Sequence, residues 1–92
     1  MIRIELPKAL NCYVDGKSVL ELDKQPRNVG AALVELGRVS PGVLDRVMDE
    51  QGSVRQHVNV FLGGENIRFL NGLQTPVPDG STILILSAIS GG

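Results

Sequence analysis

TILILS, Thr82 to Ser87, decides the fold. The run is apolar on both faces, the pattern of a strand covered on both sides. At an exposed sheet edge such a run would template aggregation. It therefore belongs in the middle of a sheet, and its neighbours lie upstream. IRIEL, from Ile2, alternates Ile2 and Ile4 with Arg3 and Glu5, and Pro7 stops it. Leu6 reads as falling out of this phase. Asp15-Gly16 is a turn signal. It leads to a second strand, Ser18 to Leu22, antiparallel to the first. HVNVFL, from His57, puts Val58, Val60 and Leu62 on one face and Asn59 and Phe61 on the other. Gly63-Gly64 suits a two-residue primed turn, after which ENIRFL returns as the partner strand. PVPDGS, Pro76 to Ser81, is dense turn chemistry leading into the final strand.

Helix signals fill the gap between the two strand groups. Asn28 can accept bonds from free N–H groups at a helix start. Val29, Ala32, Leu33 and Leu36 fall on one helical face. Gly37 sits where a left-handed C-cap is expected. Ser40-Pro41 reads as a second start, and Val43, Leu44, Val47 and Met48 give that short helix an apolar side. The order is β-β-α-(short α)-β-β-β. This is an α+β layer in which a mixed sheet of about five strands grips one main helix. Placing the last strand centrally, parallel to the first, gives the β-grasp arrangement. Residues 1–92 are read as one such domain, and residues 87–92 as its flexible tail.

Composition narrows the chemistry. With two Phe, one Tyr and no Trp, the core must be aliphatic. A net charge of −1, with no basic stripe, points away from nucleic acid. No apolar run approaches the roughly 20 residues of a membrane span, and the first residues are too short and charged for a secretion signal. The expectation is a cytoplasmic domain. The single cysteine, Cys12, supports neither a disulfide nor a metal cluster and reads as a small buried hydrophobe. His57, the one histidine, has no second ligand or base in view. No catalytic side-chain constellation is visible, and no bound cofactor or metal is expected.

The chain then ends on Gly91-Gly92. Alone, the pair is compatible with a frayed end. At this point the sequence resembles the ThiS/MoaD family of ubiquitin-like sulfur carriers. The likeness rests on Val58-Asn59, Gly63-Gly64, Arg68, Asp79-Gly80, Thr82 to Leu86 and the terminal pair. It leans toward the CysO-type carriers through the segment GVLDRVMDEQGSVRQHVNVFLGGENIRF. Ser87 stands where many relatives have proline.

The resemblance implies that the Gly92 carboxylate is the reactive group and Gly91 its flexible support. It implies an E1-like adenylyltransferase/sulfurtransferase that spends ATP with Mg²⁺ on an acyl-adenylate, which sulfur then converts to a thiocarboxylate. A sulfur-accepting enzyme would follow, with a cysteine synthase preferred. Molybdopterin, thiamine, tRNA thiolation or other thioacid pathways remain open, and a JAMM-type metalloprotease is a further partner. The chain would thus be a protein co-substrate and not an enzyme. Glycine at both positions suits a narrow channel, because neither residue has a Cβ.

A docking patch is expected from strand phase. If Ile83 and Ile85 face the helix, then Leu84, Leu86 and Phe61 face outward beside the tail. Arg68 is a candidate charge at the patch rim. A second core layer or a self-association surface would use the same leucines. Two other functions remain open: a ubiquitin-like modifier conjugated to lysines through Gly92, and a non-catalytic β-grasp binding module.

Overall fold

The computed structural model describes residues 1–87. The strands are β1 (Ile2–Glu5), β2 (Val19–Leu22), β3 (Val58–Leu62), β4 (Glu65–Asn66) and β5 (Thr82–Ser87). The helices are α1 (Val29–Val39) and α2 (Pro41–Val47). The sheet order is β2-β1-β5-β3-β4. β5 lies between β1, to which it is parallel, and β3, to which it is antiparallel. The doubly apolar strand is thus central, and the β-grasp arrangement follows from it.

The core forms where the inward strand positions meet the helices. Ile2, Ile4, Val58, Val60, Ile83 and Ile85 pack with Val29, Ala32, Leu33, Leu36, Val43 and Val47, all at most 1% exposed. Each of these side chains except that of Ala32 contributes about 1.5–3 kcal/mol of transfer free energy. Asn28 caps α1 by accepting from the Ala31 N–H at 2.8 Å. Ser40 ends α1 and starts α2: its N–H donates to Leu36 O, and its Oγ accepts from Val43 N.

Several expectations are corrected. Leu6 is 6% exposed and keeps the phase of Ile2 and Ile4. β1 and β2 do pair antiparallel, but a 3-10 helix, Lys8–Val14, stands between them and buries Leu10 and Val14. Asp15 and Gly16 then turn the chain at φ of 57° and 80°. Cys12, on that helix, is exposed. Gly37 does not end α1, which runs on to Val39. Instead it lets α2 come close, because a Cβ there would collide with the Leu44 side chain. ENIRFL pairs over two residues only, and Ile67–Phe69 becomes a 3-10 turn. The Asn66 side chain accepts from the Arg68 N–H at 3.0 Å, a local bond that competes with the ladder. Gly63 and Gly64 make the expected turn, at φ of 60° and 84°.

Candidate functional site

Strand register defines the sheet face turned away from the helices. Ile83 and Ile85 are fully buried against α1 and α2, so Thr82, Leu84 and Leu86 point outward. Leu84 stands opposite Phe61 on β3 and beside Glu5 on β1. Glu5, Leu84 and Phe61 therefore form one continuous row across three strands. Leu86 stands opposite Asn59 in the next row. Leu86 is 43% exposed, whereas Leu84 and Phe61 are partly buried.

The row lines a shallow cavity of about 440 Å³ with Thr82, Leu86 and the Gly63-Gly64 turn. The structure thus brings together Phe61, Leu84 and Leu86, as strand phase predicts. It adds Glu5, which the sequence reading did not single out. The alternation of β1 already put Glu5 on the outer face, but only the pairing of β1 with β5 places it beside Leu84.

Arg68 lies outside this cavity and is held in place. Its guanidinium donates to the carbonyls of Val58 at 2.9 Å and of Arg55 and Gln56 at 3.3 Å. It also donates to Asn59 Oδ1 at 3.3 Å, which accepts from Asn66 Nδ2 at 3.1 Å. The side chain ties the start of β3 to the turn after β4. Asn59 links it to the Leu86 row.

On the inner side of β5, Ser87 borders a groove of about 810 Å³. Leu10, Val58 and Ile85 line its floor, with Arg46, Arg55 and His57 around it. Arg46 Nε donates to the Tyr13 hydroxyl at 3.0 Å. The two concavities flank the last described residues of β5, one on each face. Gly91 and Gly92 lie outside the described residues. Among the described residues, no group of three or more His, Cys, Asp or Glu is placed to hold a metal ion, and no helix is long and apolar enough to cross a membrane.

One perturbed carboxyl lies at the far end of β5. The Met1 ammonium donates to Asp79 Oδ1 at 2.7 Å and holds that carboxyl below its usual range, chiefly through the hydrogen bond and its charge. Gly80 N–H donates to Met1 O, so both chain segments are tied at the entry to the central strand.

Comparison with known proteins gives this geometry a family context. The ThiS family model matches residues 4–92. The sulfur carrier protein CysO of Mycobacterium tuberculosis is 28% identical over 93 residues, covering 99% of this chain and 98% of the relative. The crystal structure of M. tuberculosis CysO superposes with a TM-score of 0.86 over 96% of this chain and 99% of that one, at 27% identity. A chain of the Amycolatopsis orientalis BexX/CysO complex reaches a TM-score of 0.89 at 26% identity, with both chains fully covered. Small archaeal modifier protein 3 of Haloferax volcanii is 30% identical over 79 residues, covering 86% of this chain and 85% of the relative. The neighbours are ubiquitin-like β-grasp proteins, and among the relatives CysO is named a sulfur carrier protein.

Proposed function

The chain belongs to the ThiS family, and on that premise we propose that it carries sulfur as a thiocarboxylate on Gly92. The observation that carries the reading is the position of the terminal pair. Gly91-Gly92 follows within five residues of the central strand, whose outer face presents Leu84 and Leu86 with Phe61. A rigid body with an apolar face and a side-chain-free tip suits delivery of the tip into a partner's active site.

The chemistry needs the partner. A carboxylate is a poor acyl donor, because its leaving group would be oxide. An E1-like enzyme with ATP and Mg²⁺ makes the acyl-adenylate of Gly92 and releases pyrophosphate. A sulfide-level nucleophile attacks the acyl carbon, AMP leaves, and a thiocarboxylate remains. Its sulfur then attacks an electrophile in the acceptor enzyme. We assign that acceptor to cysteine synthesis, a reading supported by likeness to CysO across nearly the full chain. Docking of the outer face offsets the entropy of ordering two glycines in a channel.

The test is ATP–pyrophosphate exchange by the adenylating enzyme of the same genome. It should depend on this chain and vanish when Gly91-Gly92 is removed. A second reading shares the activation step. Likeness to small archaeal modifier protein 3 favours conjugation of Gly92 to lysines. Lysine adducts lost with Gly92 would support it, and their absence in cells where the thiocarboxylate forms would reject it.

A further inference from the structure

Among the described residues, Glu5 is the single ionisable residue lining the outer-face cavity, with Phe61, Leu84, Leu86, Thr82 and the Gly63-Gly64 turn. It is partly buried in the row with Leu84 and Phe61. Its carboxylate has neither an ion-pair partner nor a hydrogen-bond partner among the described residues. Arg3, the next outward residue on β1, stands opposite Glu21 and makes no ion pair with Glu5. A carboxylate covered by an apolar partner surface, and left unpaired, would be costly to desolvate. A partner that seals this cavity and supplies a cation removes that cost.

We infer that the cavity receives an arginine side chain of the activating enzyme, pairing with Glu5; this rests on the function proposed above. An arginine satisfies every feature of the site at once. Its stem covers Leu84 and Leu86, since long cationic side chains bury their methylenes on apolar surface. Its planar head can lie over the Phe61 ring while its N–H fork faces the Glu5 carboxylate. Lysine offers a point charge in place of the fork and the stacking plane. Glu5 is thus a docking residue that selects the partner. It stands on the body of the domain and takes no part in acyl transfer.

The test measures chain-dependent adenylation by the activating enzyme for wild type and Glu5→Gln, at several salt concentrations. The expected result is a KM raised about tenfold for Glu5→Gln, with kcat within about twofold and a flatter salt dependence. Glu5→Arg should be weaker still, and an Arg→Glu change on the enzyme should restore it. Thermal unfolding of both variants checks that the sheet is intact. An unchanged KM and salt dependence in Glu5→Gln, with wild type activated normally, overturns this inference alone. Failure of the wild-type chain to be activated overturns the functional reading and this inference with it.

Discussion

Leu84 on the central strand stands opposite Phe61 on β3, on the sheet face away from both helices. The pair gives the domain an apolar surface that its own core does not use. Leu86, one row closer to the terminal glycines, extends it at 43% exposure. If this surface docks the activating enzyme, Leu86→Ala should raise the KM for adenylation about tenfold, as loss of an interface anchor does. Its effect on folding stability should stay within about 0.5 kcal/mol, because the side chain is exposed. Steady-state kinetics and chemical denaturation on the same preparation separate the two effects.

Arg68 should behave differently. Its guanidinium binds three backbone carbonyls and Asn59 Oδ1, so it braces the start of β3. Arg68→Ala should cost about 1–2 kcal/mol of stability, the scale of charge-assisted bonds partly replaced by water. Arg68→Lys should recover only part, because an ammonium lacks the fork that reaches several acceptors. Urea midpoints for the three proteins give the ranking directly.

Gly37 should resist substitution despite lying within α1. Alanine there gains about 0.8–1 kcal/mol of helix propensity but forces Leu44 on α2 to move. Overpacking of about 1–3 kcal/mol outweighs that gain, so Gly37→Ala should be destabilising by about 1 kcal/mol. Leu44→Val should relieve part of the loss, and a double-mutant cycle would reveal the coupling.

Gly37 also marks what could be read from the sequence. Strand phase and helix spacing are periodic, and they located β1, β3, β5, α1 and α2. The caps at Asn28 and Ser40 are local chemistry and were equally legible. A glycine that admits a neighbouring helix looks the same in sequence as one that ends its own. Over Lys8–Val14 the buried Leu10 and Val14 stand four apart, but the segment is only seven residues long between Pro7 and the Asp15-Gly16 turn, too short to read as a helix. The return strand shrank because Asn66 caps a turn in place of extending the ladder. In the candidate site, Phe61, Leu84 and Leu86 followed from alternation alone. Glu5 and the bonds of Arg68 required the register between strands distant in sequence.

The Met1–Asp79 pair predicts a dependence on acid. The Asp79 carboxyl is held below the ordinary carboxylate range by its hydrogen bond to the Met1 ammonium and by that group's charge. A group with a depressed folded-state pKa stabilises the fold above its unfolded value, and that contribution is lost as pH falls through the lower, folded value. Asp79→Asn should therefore lower the thermal midpoint slightly near neutral pH. The difference from wild type should fade in acid below the unfolded-state pKa. A pH series of melting curves for the two proteins checks this.

The central claim is chemical and concerns one atom of Gly92. Its most direct measurement is the intact mass of the chain after incubation with the activating enzyme, ATP, Mg²⁺ and sulfide, with fragmentation to locate the change. The account predicts one oxygen exchanged for sulfur, on the C-terminal glycine, and no change in a chain lacking Gly92. An unaltered mass where the acyl-adenylate forms, or the same exchange in the truncated chain, would contradict it.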